Sequence, residues 1–305
     1  MLLNIDIDTI KINFDTESLW MLNIALAIIM FGVALDIKID DFKRLAKNPK
    51  IVLVGVLSQF IFLPFLTFIA IYLIKPHPSF ALGMMMVAAC PGGNVSNFFS
   101  KMANGNAALS VSLTALATLL SLFLTPFNLQ FWGSLYEPTN EILKTVSLSP
   151  FAMFKLVLLI LGVPLALGMF VKHNHEEMAT KINKVLRPFS VFFFLILIVI
   201  ALYDNISVFK NYIHLVYLLV IFHNVFAYVI GYTTSSIFKL TKQDRKTITI
   251  ETGIQNSGLG LLLIFDFFNG LGGMALLAAF WGVWDIFSGI LLATFWGRKQ
   301  QNNEI

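Results

Sequence analysis

Cys90-Pro91-Gly92-Gly93-Asn94-Val95-Ser96-Asn97 sits inside an apolar run of about 79 to 100, and its chemistry is hostile to the helix such a run should form. Proline removes a backbone donor and clashes with the preceding turn, a glycine pair resists helix, and Asn94, Ser96 and Asn97 need partners. A second run, about 246 to 267, carries Glu251-Thr252-Gly253-Ile254-Gln255-Asn256-Ser257-Gly258, a carboxylate and several polar side chains among glycines. The expectation is two broken helices.

The surroundings say where those helices lie. Hydrophobic residues make up 57% of the chain and charged residues 12%, with a mean hydropathy of +0.80; an average soluble domain carries about 25% charged residues. The charges collect in short clusters between apolar stretches of roughly 20 residues, the length that crosses a hydrocarbon core of about 30 Å. The stretches are too long for strands and lack the alternation of an outer-membrane barrel. The fold class is therefore all-α polytopic membrane protein. Spans are expected near 18–35, 50–74, 79–100, 107–132, 150–171, 188–208, 212–238, 246–267 and 271–297, about nine transmembrane helices in one domain.

Nine spans put the termini on opposite sides. With the C-terminus inside, 16 Lys and Arg fall on inner segments and only Lys11, Lys75, Lys144, Lys155 and Lys210 outside, out of 21 in all. Orientation follows this bias, so the N-terminus is expected outside and the C-terminus in the cytoplasm, with the chain in the plasma (inner) membrane. The net charge of +4 follows from the same bias toward an anionic inner leaflet and implies no nucleic acid. Acidic residues before the first run argue against a cleavable signal peptide. The single cysteine, Cys90, excludes an intrachain disulfide and a multi-cysteine metal site.

Irregular backbone at membrane depth must be buried in protein or line a cavity, so the two breaks should meet. Paired interruptions in the two halves of a chain point to the binding site of a transporter built as an inverted repeat. The halves show no residue-level similarity, so the repeat rests on where the breaks fall. Pro-Gly-Gly alone could be a kink, and Asn or Ser could bond neighbouring helices. Glu251 decides for function, because an acid inside a bilayer costs about 2.5 to 3.5 kcal/mol and is functional by default. Glu251 and Gln255, four apart, would share a face if that part is helical. Ser110 and Thr114 are also four apart, and Gln59 is otherwise unexplained in an apolar span. One negative charge among neutral oxygens suits a hard monovalent cation. Sodium fits, and protonation of Glu251 is the rival coupling ion.

At these residues the sequence resembles the bile acid:sodium symporter family, in particular its bacterial members of the apical sodium-dependent bile acid transporter type. The resemblance runs through Met30 to Leu35, Cys90 to Asn97, Gly105-Asn106, Ala108 to Val111, Leu124-Thr125-Pro126, His223-Asn224, Thr249 to Gly258, Trp284, Ser288-Gly289 and Leu292 to Trp296. It implies sodium-coupled symport of a small organic solute by alternating access, with two Na+ ions and no other cofactor. It also implies crossing broken helices in a core (about 50–132 and 212–297) beside a panel (about 18–35 and 150–208). Ser96, Asn97, Ser110, Thr114 and Glu251 would form one sodium site. Gln59, Glu251 and Gln255, with the carbonyls of Thr252 and Ile254, would form the other. Asn256, Asn94, Gly93 and Asp285 would meet the solute. Known bacterial members have ten spans, and this chain is expected to lack the first, as animal members do.

Where related bacterial sequences carry His-Asn after the tryptophan of the last span, this chain has Asp285-Ile286. Asp285 either bonds a neighbouring helix or is protonated, or it lies in the solute cavity, where it would favour a positive group. His223 and Asn224 read as contacts between helices, Asp266 as solvated, and Trp20 and Trp296 as interfacial anchors. The partners expected are the bilayer and a small solute, with no obligate protein partner. An efflux permease of the same superfamily, arsenite-type through Cys90 or proton-coupled, and an ion-binding channel or sensor are the alternatives. An enzyme fits least, with no His-Glu-x-x-His, Gly-x-Ser-x-Gly or paired-aspartate motif.

Overall fold

The computed structural model describes residues 7–10, 12, 16–38, 40, 43, 46–147 and 149–301. Lys11 and Arg44, part of the charge count, lie outside them. Helix α1 spans Thr16–Ala34, α2 Pro49–Ile74, α3 Pro78–Ala89, α4 Ser96–Met102, α5 Ala107–Leu135 and α6 Glu137–Val146. Then follow α7 Pro150–Asn174, α8 Glu176–Asp204, α9 Ile206–Tyr212, α10 Tyr217–Ile237, α11 Lys242–Gly253, α12 Ser257–Phe268 and α13 Gly272–Gln301. No strand is named among the described residues, and the two breaks fall between α3 and α4 and between α11 and α12. Among the described residues, five helices, α2, α5, α7, α10 and α13, are long and apolar enough to cross a membrane.

Sequence signals set the ends. Proline occupies the first turn of α2, α3, α6 and α7, where its missing N–H costs nothing. The side-chain oxygens of Asn106, Ser149, Thr241 and Asn256 accept backbone N–H groups at the starts of α5, α7, α11 and α12, satisfying donors that hydrocarbon cannot. Inside α2 and α7, single π-turns at Ser58–Phe62 and Leu158–Gly162 shift the helix register.

Two segments read from the sequence as connections are helical. Within 133–149 lies α6, whose Thr139 and Leu143 are buried four apart on one face. Between 172 and 187, only His175 separates α7 from α8, so Lys181 and Lys184 ride on a helix whose other face buries Ala179 and Asn183. Hydropathy senses where the bilayer stops, and an amphipathic helix continues beyond that point.

One large apolar cluster joins α1, α3, α7, α12 and α13, including Met30, Met84, Leu161, Leu263 and Trp281. Helix α10 packs along α11, and glycine makes that closeness possible: a Cβ at Gly231 would stand 2.8 Å from the Thr249 Cα. Small residues replace the hydrophobic effect where helices meet in lipid.

Candidate ion and solute site

Pro91 pushes the residue before it out of helix, and Cys90 adopts φ −70, ψ 157. In the other break Ile254 is extended, with φ −96 and ψ 110. The extended segments cross, and Gly92 and Gln255 form an antiparallel bridge. Gly93 N–H donates to the Ile254 carbonyl and Asn256 N–H to the Pro91 carbonyl, each at 2.9 Å. Each break therefore supplies partners for backbone groups that the other leaves without a helix. The approach requires glycine, since a Cβ at Gly93 would lie 2.8 Å from the Gln255 oxygen and one at Gly92 3.0 Å from the Glu251 oxygen. Gln59 Nε2 donates to the Cys90 carbonyl at 2.8 Å, and Gln255 Nε2 donates to the Thr252 carbonyl at 2.6 Å. These amides cap the ends of α3 and α11.

Beside the crossing lies Glu251, 7% exposed. Its Oε1 accepts the hydroxyls of Ser96, at 2.6 Å, and Ser110; its Oε2 accepts that of Thr114 at 2.9 Å. Thr114 also reaches Asn97 Oδ1 at 3.2 Å. The five residues of the first expected group thus converge from α4, α5 and α11. The second group converges as well: Gln59 donates to Gln255 Oε1 at 2.9 Å, beside Thr252. A void of about 20 Å³ is bordered by Gln59, Gly92, Glu251 and Thr252, room for one water-sized occupant. The carbonyls of Thr252 and Ile254 already accept one hydrogen bond each, leaving one lone pair apiece.

The shared helix face expected for Glu251 and Gln255 is corrected: α11 stops at Gly253, and Gln255 stands on extended backbone. Its side chain reaches the site because the π-turn in α2 brings Gln59 to it. Ser58, whose hydroxyl bonds that of Thr252 at 2.9 Å, was missed. Its signal was adjacency to Gln59 in an otherwise apolar span.

A cavity of about 750 Å³ lies between α1 and the crossing, bounded also by the starts of α4, α5 and α12 and the middle of α13. Gly93, Asn94, Asn256 and Asp285 are all on its wall. Asn94 Nδ2 contacts Met30 Sδ at 3.4 Å across the gap to α1, and Asn256 Oδ1 caps α12 through Leu259 N–H at 3.0 Å. Asp285 bonds neighbouring elements and stands on the cavity wall. Its Oδ2 accepts Gln255 N–H at 3.0 Å and its Oδ1 accepts Asn224 Nδ2 at 3.2 Å, while the residue faces the cavity. Asn224 further donates to the Gly253 carbonyl at 2.9 Å and accepts from Trp284 Nε1 at 3.1 Å, tying α10 to the break and to α13. His223 bonds Thr67 at 2.8 Å and meets the edge of Trp281. Asp266 and Trp20 are exposed.

The sequence profile of the sodium bile acid symporter family matches residues 23–212. An uncharacterized sodium-dependent transporter, YocS, of Bacillus subtilis is 31% identical over 283 residues, covering 93% of this chain and 85% of its own length. The chain belongs to the sodium bile acid symporter family. Other members of the sodium bile acid symporter family are more distant in length. The probable sodium/metabolite cotransporter BASS1, chloroplastic, of Arabidopsis thaliana is 28% identical over 81% of this chain and 59% of its own. Mouse sodium/bile acid cotransporter 4 is 30% identical over 76% and 52%. The chain thus spans little more than half of those two relatives. Membership of this family, together with the apolar helices, makes the chain an integral membrane protein of a sodium-dependent transporter family.

Proposed function

We propose that this chain is a symporter that moves a small organic solute together with two sodium ions by alternating access. The observation that carries the reading is Glu251, a buried carboxylate with three hydroxyl donors at the crossing of two broken helices, one wall away from a large cavity. Ser96, Asn97, Ser110, Thr114 and Glu251 would hold one ion. Gln59, Thr252, Gln255 and the second Glu251 oxygen would hold the other beside the void of about 20 Å³, with the spare lone pairs of the Thr252 and Ile254 carbonyls. An ion here offsets the charge of Glu251 and draws α4, α5 and α11 together. That stiffens the cavity wall formed by Gly93, Asn94, Asn256 and Asp285, so solute and ion stabilise one arrangement and become coupled.

Nine spans are read as α1, α2, α3 with α4, α5, α7, α8, α10, α11 with α12, and α13. The order of α2, a broken pair and α5 recurs as α10, a broken pair and α13. Five spans separate corresponding elements, which makes the repeat inverted. The mutual contacts of α1, α7 and α8 support a panel, with the repeats as core. The cavity is lined late in α1, early in α5 and at the middle of α13, and it meets α1 and α5 at the end that carries Lys38 and Lys101. By the positive-inside rule that end is cytoplasmic and this arrangement is inward-open.

Cys90 is fully buried and absent from the cavity wall, so nothing favours an arsenite-type permease. Thermal unfolding of the purified full chain in NaCl and in KCl of equal ionic strength tests the ion site. Sodium should raise the midpoint by mass action, by about 2.7 kcal/mol at a hundredfold excess over Kd, and Glu251→Ala should lose the effect. Equal midpoints in the two salts, or a full sodium response in the variant, would defeat the proposal.

A further inference from the structure

We infer that the transported solute carries a cationic group that pairs with Asp285. This rests on reading the cavity as the solute site and adds the charge class of its occupant. Among the described residues on the cavity wall, the ionisable ones are Asp36 and Asp285, both acids. Asp285 is 5% exposed, so its charge is poorly screened by water. Its two hydrogen bonds come from an amide N–H and a carboxamide. Neutral donors orient a carboxylate without cancelling its charge, and each oxygen keeps a second acceptor direction. No ion pair to Asp285 exists among the described residues.

Buried carboxylates in proteins are paired, bind metals or take up a proton. For a carboxylate on a cavity wall, the occupant is the partner that can complete it. Elsewhere the wall is largely apolar, with Leu26, Ile29, Val111 and Ile286, which suits a hydrocarbon body carrying one ammonium or amidinium head. A solute that was only a carboxylate would face two like charges. Asp36, bonded by Asn183, lies at the exposed side of the wall and adds a longer-range attraction for the same sign.

The test uses the full chain purified in detergent, at about neutral pH, followed by thermal unfolding. Sodium against potassium, with no organic compound, first reads the ion site. At fixed sodium, the butyl, pentyl and hexyl series of alkylammonium, alcohol and carboxylate then give apparent Kd values for bodies of matched size. The ammonium is expected to bind about tenfold more tightly than the carboxylate of equal length, with the alcohol between. In Asp285→Asn that gap should shrink to about twofold while the sodium response persists. Carboxylates binding as well as ammoniums in the unaltered chain would overturn the inference, as would no ammonium binding or an unchanged gap in Asp285→Asn. Should the variant fail to fold, the gap in the unaltered chain still decides. Loss of the sodium response with the gap intact would remove sodium coupling and leave the cationic site standing.

Discussion

Glu251 combines a charge that lipid should reject with a set of donors arranged to keep it charged. Hydrogen bonds to charged groups are worth about 1.5 to 3 kcal/mol each, so Ser110→Ala should weaken sodium binding by roughly tenfold or more. Sodium titration of the melting midpoint reads this directly. Gly93 is constrained by space, because its neighbour across the crossing is backbone that cannot swing aside. Gly93→Ala should destabilise by about 1 to 3 kcal/mol, the range for overpacking. An unchanged melting midpoint would show that the crossing yields. At this scale the sequence was informative where chemistry is local. Ser110 and Thr114 could be paired by their spacing, and Glu251 announced itself by its charge. Whether Gln255 stands on helix or on extended backbone was left open by its spacing from Glu251, because periodicity cannot locate a break to within a turn. Ser58 could be flagged only by its adjacency to Gln59, because its partner, Thr252, is 194 residues away.

Among elements, the broken pairs were legible from proline and glycine, whereas helices α6 and the first part of α8 were not. Those two keep one face in water, and a hydropathy reading ends where water begins. The junction of α5 with α11 is a second feature that only geometry reveals. Asn106 caps α5 through Leu109 N–H at 3.1 Å, and its amide donates to Asp244 at 2.9 Å. It sits apart from the ion and solute groups, so it reports on the joint alone. Asn106→Ala should cost about 1 to 2 kcal/mol, the larger values for lost caps, with a double-mutant coupling to Asp244→Ala above about 0.5 kcal/mol. Additive single effects would mean that the two helices are not joined there.

For the whole molecule, the charge count predicts a sidedness, with the Lys- and Arg-rich end in the cytoplasm. Cys90 is the sole cysteine and is fully buried, which makes single-cysteine labelling clean. In intact cells an impermeant maleimide should modify Lys75→Cys and Lys210→Cys and spare Lys184→Cys and Lys239→Cys. The opposite pattern would invert the topology and the direction in which the cavity opens. The helical, membrane-embedded class was legible because long apolar stretches alternate with charge clusters. That α1 and the crossing enclose about 750 Å³ was not, since a cavity is a property of packing among distant segments.

The antiparallel bridge between the breaks also sets a clock. Residues outside helices ordinarily exchange their amide hydrogens quickly, yet the amides of Gly93 and Asn256 are each held by the opposite segment. Deuterium should therefore enter 90–97 and 253–257 late and together, because freeing one amide requires separating both segments. Sodium that ties the crossing should delay both by one common factor. Independent uptake by the two peptides would mean that the segments part without each other.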